Sequence, residues 1–317
     1  MINYVHADEN DFFYIQKFIK ENFDADHILL KHKKVFSHFY VNKSDPQFFL
    51  AKDGEDTIVG ILGYITSKQF DENLPYDIAW LAMWMSKKNS TEPVGIKLLQ
   101  FLENELEVDY VACLGINDQV VPLYSRMGYQ TGSMHHLKKE IRNTDPVKKS
   151  DWSIIPQIYN DVNFIGRFGK TNQYLSNKYL VKRFYNYLTF SVCLNTEPVT
   201  TIIGRILINK ESNISIFRIV DFSGDIEGIL RFVENISNTH FSSKVHFIDI
   251  LISDLEGLDT GIFTECDKDN YLPLYFEPLI REYKKKNFCY KKLSLRKDSG
   301  KPLIITGDGD QERPNVI

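Results

Sequence analysis

The sequence predicts a mixed α+β (α/β) protein built from two tandem copies of one unit. In the first half, apolar runs alternate with segments whose apolar residues recur at helical spacing. A similar order returns after residue 151, and Gly204 in TTIIGRILI repeats the interior position of Gly60 in IVGILGYIT. We therefore expect one unit over residues 1–142 and a second, degenerate unit over 150–317, joined by the polar segment 141–151.

The elements of the first unit follow from periodicity and turn chemistry. Apolar spacing predicts helices within 11–40, and strands at 48–51 and 58–66 form a hairpin. The run DIAWLAMWMS at 77–86 predicts a long strand buried on both faces. Pro93 opens a helix, because the first helical position needs no N–H. The remaining expected elements are a strand at 110–115, a helix at 120–127 ended by Gly128 and a strand at 133–138.

The second unit repeats this order with a different beginning and end. Residues 154–188 are expected to be largely helical, and no phosphate-type loop stands in the matching place of this copy. The tail 301–317 has turn residues and no periodicity. Between them we expect strands at 190–194, 200–208, 214–222 and 245–251 and a helix at 226–236.

Composition excludes several classes of function. The chain has 317 residues, a formal net charge of -4 and no strongly basic stretch, which argues against nucleic-acid binding. It shows neither an apolar run of membrane-spanning length nor a secretory leader, so a cytoplasmic location is the expectation. The four cysteines form no CxxC pair, which argues against a zinc site.

One motif in the first unit carries chemistry. The segment NDQVVPLYSRMGY places Asn117, Val120, Leu123–Tyr124 and Gly128–Tyr129 behind a predicted strand. With the order hairpin, long strand, polar loop, helix and strand, it resembles the GNAT acyltransferases. The resemblance implies an acyl-CoA cofactor, with Asn117 on the pantetheine arm and Tyr124 near the thioester sulfur as a donor to the leaving thiolate. The alternative for Tyr124 is core packing.

The loop before the next helix is the second part of this resemblance. It implies that Ser90, Thr91, Val94, Gly95 and Ile96 receive the CoA diphosphate at the unpaired N–H groups of the helix start. Two of the three loop residues typical of the family are missing, because Ser90 and Pro93 replace them. The open alternative is an ordinary strand–helix turn capped by Ser90 or Thr91.

The long strand supplies further candidates. The resemblance implies that the backbone groups of Met83 and Met85 pair with the pantetheine amides and offer a partial oxyanion site. Strand alternation predicts Trp80, Ala82 and Trp84 on one face, where the tryptophans would bind substrate or form core, and Met83 and Met85 on the other. Asp77 is the ionised candidate for a base or for an ammonium ligand; a solvated strand-end carboxylate is the alternative. His135 and His136 point to opposite faces, so one of them is a candidate substrate ligand.

The second half narrows the resemblance. Arg218 and Asp221 in IFRIVDFSG and Glu277 in YLPLYFEPL are polar groups in apolar surroundings. Three residues apart on a strand, Arg218 and Asp221 face opposite sides, so each is expected to serve a different neighbour. Together with the tail GDGDQERPN, these strings resemble bacterial nucleotide-sugar N-acyltransferases, including the anthrose-type 3-hydroxybutyryl transferases.

This narrower resemblance implies a ligand set. The donor would be 3-hydroxybutyryl-CoA or acetyl-CoA. The acceptor would be a dTDP-linked amino-deoxysugar, bound in a cleft toward the second unit by Arg218, Asp221 and Glu277. Two alternatives stay open, since fold does not set substrate: a GNAT enzyme acting on another amine, and a non-catalytic CoA-binding protein.

Overall fold

The structure, a computed structural model, describes residues 1–87, 93–141, 151–156, 169–182, 184–209, 213–236, 245–275, 279, 282–294 and 301–309. Two seven-stranded sheets form its framework. The predicted fold class, mixed α+β with two related halves, is confirmed. The predicted residues Ser90, Thr91 and Glu277 and the segment 142–150 lie outside the described residues.

The first half begins with a strand and a group of short helices, and continues as the predicted hairpin, long strand and helix. Its strands are β1 (Asn3–His6), β2 (Val41–Asn42), β3 (Asp45–Pro46), β4 (Phe48–Lys52), β5 (Ile58–Thr66), β6 (Ile78–Ser86), β7 (Tyr110–Ile116), β8 (Gln130–Ser133) and β9 (His135–Glu140). Its helices are α1 (Phe12–Asn22), α2 (Ile28–Lys31), α3 (Lys33–Tyr40), α4 (Val94–Glu105) and α5 (Val121–Arg126).

The second half has longer strands and fewer helices among its described residues. Its strands are β10 (Trp152–Ile155), β11 (Leu188–Leu194), β12 (Glu197–Asn209), β13 (Ile214–Gly224), β14 (Phe247–Ile252), β15 (Thr264–Glu265) and β16 (Asn287–Lys292). Its helices are α6 (Asn172–Leu175), which continues as a π-helix over Ser176–Leu180, and α7 (Glu227–Asn235).

The two sheets exchange one strand each. The first has the order β1-β4-β5-β6-β7-β16-β8, and the second has β10-β11-β12-β13-β14-β9-β15. Strand β16 from the end of the chain therefore lies between β7 and β8, and β9 from the first half pairs with β14. The boundaries 1–142 and 150–317 stay a prediction, and a strand from each side of that division completes the other sheet.

Helices cover the two faces of the first sheet. We call them the α1 face, packed against α1 to α3, and the α4 face, packed against α4 and Tyr124. At Gly60 a Cβ atom would lie 2.7 Å from Val94 Cγ1, so the missing side chain lets α4 approach β5 closely. This close approach fixes the position of the first turn of α4 over the sheet.

The structure corrects three expectations about the elements. The predicted strand 133–138 is two strands in different sheets, because the chain leaves β8 at Ser133 and enters β9 at His135. The described part of 154–188 is helical only over 172–180. The tail residues 302–309 lack periodicity as expected but are buried.

A β-bulge in β6 overturns the predicted side-chain alternation. Gly63 pairs with Ala82 and Ile61 with Met85, so β6 holds one extra residue, and Met83 has a φ of 51°. Beyond this point the side chains change faces. Trp80 packs on the α1 face and Trp84 on the α4 face, so the two tryptophans do not share a face as predicted. Met83 and Met85 pack on the α1 face.

Candidate acyl-CoA site

A cleft opens where two parallel strands of the first sheet separate. Strands β6 and β7 pair at Ile78 with Tyr110, Ala79 with Val111 and Trp80 with Ala112, and the register ends there. We call the gap between Leu81–Ser86 and Cys113–Ile116 the first cleft. Parallel strands in the middle of a sheet normally continue their ladder, because unpaired backbone groups buried in the protein are costly. The first cleft therefore exposes strand edges that an extended ligand with amide groups can pair with.

The start of helix α4 lies beside the first cleft. Pro93 is its N-cap residue and forms no side-chain capping bond, and no acidic residue lies in its first turn. The first N–H groups of a helix have no intrahelical partner and carry partial positive charge. Val94, Gly95 and Ile96 therefore form a helix start of the kind that can bind an anion, at the end of β6, and their predicted contact with the CoA diphosphate stays a prediction.

Trp84 closes one side of this helix start. Its Nε1 donates a hydrogen bond to the Gly95 carbonyl at 3.0 Å, and a Cβ at Gly95 would lie 3.2 Å from the same nitrogen. The ring also packs against Tyr124, with centroids 5.5 Å apart. Gly95 therefore leaves room for the close approach of Trp84, and Trp84 connects β6 to α4 and α5.

Tyr124 lies in the wedge between the separated strands. It is 1% exposed and contacts Trp84 on one side and Tyr129 on the other. Burial and the neighbouring Cys113, which also forms a side-chain hydrogen bond with it, raise the pKa of Tyr124 far above its usual value. The phenol therefore keeps its proton at neutral pH and acts as a hydrogen-bond donor.

Cys113 is a neighbour of Tyr124 that the sequence analysis did not single out as a site residue. It follows the last residue of β7 that pairs with β6, and its Sγ donates a weak hydrogen bond to the Leu81 carbonyl at 3.6 Å. This contact bridges the first cleft at its closed end. Cys113 directly follows Ala112, which forms the last pair between β7 and β6. Its place beside the first cleft could therefore be recognised only once the pairing of these strands was known.

Asn117 begins the turn into α5. Its Oδ1 accepts a hydrogen bond from the Gln119 N–H at 3.1 Å, its carbonyl accepts one from Val120, and the residue is exposed. The side chain therefore shapes the chain reversal at the open end of β7. The amide nitrogen of the same side chain is on the surface beside the first cleft, where the sequence resemblance places the pantetheine arm.

Asp77 lies at the opposite end of β6 from the cleft. Asp77 precedes Met83 by six positions, a span of roughly 20 Å along a strand. Burial raises the pKa of Asp77, opposed by a hydrogen bond from the Lys68 N–H at 2.9 Å. It borders a separate surface groove of about 780 Å³ that also includes His6 and Tyr64. Asp77 therefore lies away from the Met83 bulge, and its predicted role as a base or ammonium ligand stays a prediction.

Trp80 belongs to the core on the α1 face. It is 2% exposed, and its Nε1 donates to the Ser67 hydroxyl at 3.2 Å. A Cβ at Gly309 would come within 3.3 Å of the Trp80 Cβ, so the tail of the chain packs on this residue. Trp80 therefore anchors the tail at the point where β6 and β7 separate.

Two predicted substrate ligands meet in the second sheet. Arg218 donates through Nη2 to Asp249 Oδ2 at 2.6 Å, and His136 Nε2 contacts the same oxygen at 2.9 Å. Although burial opposes ionisation, the Arg218 guanidinium and His136 hold the pKa of Asp249 at about 2. Burial lowers the pKa of His136. Arg218 also donates to the carbonyls of Pro273 and Leu274, so this buried group holds a loop of the second half in place.

Asp221 and His135 have different surroundings. Asp221 is buried and accepts a hydrogen bond from Lys170 Nζ at 2.7 Å, and Lys170 donates equally to Asp308 of the tail. Arg218 and Asp221 serve different neighbours, but the prediction that they face opposite sides is wrong. Arg218 pairs with Arg205 and Asp221 with Ile203, so the extra residue Val220 turns both side chains to the same side of the strand. His135 is a surface residue and contacts Glu265 at 2.8 Å. The structure brings Arg218 and His136 together and places Asp221 and His135 apart from them.

Comparison with solved structures shows which proteins share this architecture. A GCN5-related N-acetyltransferase from Anabaena variabilis superposes with a TM-score of 0.61 at 11% identity, covering 93% of this chain and 74% of that one. The chain has the GNAT fold. A conserved protein of unknown function from Enterococcus faecalis V583 gives 0.59 at 12% identity, covering 93% and 73%. A GCN5-related N-acetyltransferase from Kribbella flavida gives 0.55 at 9%, covering 92% and 72%.

Comparison of sequences finds no relative of this chain. No protein-family model matches the chain, and the search of curated proteins finds no match. The GNAT fold is therefore established by the three-dimensional arrangement. Within the described residues of this GNAT fold, no helix has the length and hydrophobicity needed to cross a membrane.

Proposed function

We propose that this chain is an acyl-CoA-dependent N-acyltransferase and that the first cleft binds the cofactor. The observation that carries the proposal is the open edge between β6 and β7 next to a helix start whose N-cap residue, Pro93, forms no side-chain capping bond. An extended chain with two amides and a diphosphate at one end matches both features. The diphosphate would lie on the N–H groups of Val94, Gly95 and Ile96, and the pantetheine along Met83–Met85, with Asn117 facing it from β7.

The chemistry needs few protein groups. An uncharged amine attacks the carbonyl carbon of the thioester, a C–N bond forms, the C–S bond breaks, and water takes the proton that the nitrogen loses. Negative charge develops first on the carbonyl oxygen, where backbone N–H groups near the Met83 bulge would stabilise it, and then on the sulfur. Tyr124 would donate a hydrogen bond to that sulfur. Because burial raises its pKa so far, it would stabilise the thiolate without giving up its proton.

The substrate class rests on the sequence resemblance to nucleotide-sugar N-acyltransferases. We propose a dTDP-linked amino-deoxysugar as acceptor and 3-hydroxybutyryl-CoA or acetyl-CoA as donor. Arg218 and His136 would then act through the loop at 273–274 that Arg218 holds, and Asp221 through Lys170 and the tail. A GNAT enzyme acting on another amine is the second candidate, and a thiol-release assay with a panel of amines distinguishes the two.

A non-catalytic CoA-binding protein is the third candidate. Pro93 removes one backbone donor from the anion site, and Trp84 covers Gly95. CoA binding without thiol release for any acceptor would favour it.

Calorimetric titration with CoA tests the proposed site. Ile96 lies half-buried in the first turn of α4, and Ile96→Asp places a negative charge where the diphosphate would bind. We expect the Kd of this variant to rise by about tenfold or more relative to the matched neutral variant Ile96→Asn. Absence of heat with the parental chain at millimolar CoA, or equal Kd values for the two variants, would reject the site.

A further inference from the structure

The second sheet contains a cleft that corresponds to the first. Strands β13 and β14 are parallel and pair from Ile216 with Phe247 to Ile219 with Ile250, as β6 and β7 do in the first sheet. The adjoining register with β12 shifts at Ile203/Gly204, which leaves Val220 as an extra residue in β13. Both sheets therefore combine a parallel pair that separates with a bulge in the same strand. We call the gap between Val220–Gly224 and Leu251–Ile252 the second cleft.

The tail of the chain occupies the second cleft as an extended peptide. Gly307 donates its N–H to the Val220 carbonyl at 2.8 Å, and Thr306 donates to the Leu251 carbonyl at 3.2 Å. Ser253 donates to the Ile304 carbonyl at 2.9 Å, and Ile305 forms an antiparallel bridge with Ile252. The tail therefore bonds to both separated strands with backbone amides, the groups that an amide-containing ligand would use.

Side chains of residues 170–179 hold the tail in the second cleft. Lys178 Nζ donates to the Gly307 carbonyl at 2.7 Å, and the Tyr179 hydroxyl donates to it at 3.0 Å. Asp308 accepts from Lys170 at 2.7 Å and from the Ile305 N–H at 2.8 Å. Asp308 is fully buried and shares Lys170 with Asp221, and burial raises the pKa of Asp308.

Gly307 is the point of closest approach. A Cβ at this position would lie 2.3 Å from the Tyr179 hydroxyl oxygen and 2.8 Å from the Val220 carbonyl oxygen. One of these atoms is backbone and cannot move without disturbing β13. The cleft thus accepts this glycine and excludes any larger residue at the same position.

The N-terminus of α7, the helix that follows β13, carries carboxylates that disfavour the binding of a diphosphate. Asp225 Oδ1 accepts the Glu227 N–H at 3.0 Å, and Glu227 adds a second carboxylate in the first turn of α7. Within the described residues, which begin at Pro93 on this side of the helix, α4 has neither a capping side chain nor an acidic residue in its first turn. A carboxylate already occupies the positive end of α7, and repulsion disfavours another anion there.

We infer that the second cleft is a peptide-binding site whose occupant is the chain's own residues 303–308, and that the chain consequently binds one CoA, in the first cleft. The inference on the tail stands on its own contacts, and the stoichiometry rests on the proposed function. The tail also leads from Val220 to Trp80, so its docking in the second cleft places Gly309 at the closed end of the first cleft.

Hydrogen exchange read by mass spectrometry tests the docking in the full-length chain. We expect the amides of Thr306 and Gly307 to exchange roughly 100-fold or more slowly than in an unstructured peptide. Gly307→Ala should remove this protection, whereas Lys301→Ala should keep it, because Lys301 is exposed and its pair with Asp254 lies outside the cleft. Unprotected tail amides in the parental chain would overturn the inference.

A labelled peptide with the sequence of residues 301–309 tests the cleft as a binding site. We expect it to bind the Gly307→Ala chain at least about tenfold more tightly than the parental chain, whose cleft is filled. Equal binding to both chains would contradict the assignment.

Calorimetry of the parental chain with CoA separates the two claims. One CoA per chain is the expected result, and two per chain would overturn the inference. No binding together with a protected tail would reject the proposed function and leave the peptide site standing.

Discussion

Tyr124 shows how one buried residue links the fold to the proposed chemistry. Its ring packs between Trp84 of β6 and Tyr129, and its hydroxyl meets Cys113 of β7. The phenol is thus fixed at the wedge of the first cleft by contacts with both strands. Because its pKa is raised, the group is useful as a donor to a thiolate and unsuited to be a base.

Replacement of Tyr124 by phenylalanine should separate binding from catalysis. We expect Tyr124→Phe to lower kcat about 10- to 100-fold, the effect of losing one hydrogen bond to a charged group, with little change in the Kd for CoA. Tyr129→Phe is the matched control, because the Tyr129 hydroxyl donates to Glu103 at 2.7 Å and faces α4. A parental rate for Tyr124→Phe in a thiol-release assay would remove its assigned role.

His136 should make the stability of the protein depend on pH. Burial lowers its pKa below 6.5 in the folded chain, so the unfolded chain binds this proton first as the pH falls. Between pH 6.5 and the lower pKa of the folded state, the free energy of unfolding should fall by up to about 1.4 kcal/mol per pH unit from this residue. Denaturant titrations of the parental chain and His136→Gln measure the difference in slope. Equal slopes below pH 6.5 would contradict the prediction.

At the scale of elements, the bulge in β6 decides which side chains border the first cleft. A regular strand would place Trp80 and Trp84 on one face, as strand alternation predicts. The extra residue at Met83 turns Trp84 to the α4 face, where it bonds to Gly95, and leaves Met83 and Met85 on the α1 face. On the α1 face, the first cleft is therefore lined by Met83 and Met85.

The contact between β5 and α4 positions the helix start. In Gly60→Ala, the new Cβ would lie 2.7 Å from Val94 Cγ1 and 3.1 Å from Leu98 Cδ1. We expect a loss of about 1–3 kcal/mol of stability from overpacking and a weaker affinity for CoA, because the first turn of α4 must move. Gly54→Ala is the control, since nothing lies within 4 Å of its Cβ position. Chemical denaturation and calorimetry check both effects, and parental values for Gly60→Ala would show that α4 tolerates the shift.

At the scale of the whole molecule, the exchanged strands make each half dependent on the other. Strand β16 pairs with both β7 and β8, and β9 pairs with both β14 and β15. Without β16 the first sheet would have a gap between β7 and β8, with unpaired backbone groups on both sides. The two halves therefore resemble each other in architecture but share their cores through these strands.

A fragment of residues 1–142 tests this dependence. We expect it to lack a cooperative unfolding transition, because β7 and β8 have lost their common partner and β9 has lost its sheet. Circular dichroism and denaturant titration against the full chain measure this. A cooperatively folded fragment would show that the exchange is dispensable for the first half.

Local patterns in the sequence determined the individual elements. The strand at 58–66 and the helix that ends before Gly128 follow from apolar spacing and from a glycine with a φ of 85°. The helix start after Pro93 also follows from local signals, because a helix N-terminus has its unpaired N–H groups wherever it lies. Because each element has local signals of this kind, the sequence also predicted the GNAT-type order of the elements and therefore the fold.

Only the tertiary structure decided which strands became neighbours. Every strand can form the same backbone hydrogen bonds, so these bonds do not select a particular partner strand. The residues of Asn287–Lys292 therefore do not predict a place between β7 and β8. In the same way, residues 303–308 do not predict binding in the second cleft. The bulge at Met83 and the distance from Asp77 to the cleft likewise depend on register, which long-range packing sets. The sequence by itself therefore determined the helices and strands and where along the chain the proposed cofactor site lies. Packing between distant segments determined which strands and side chains surround that site.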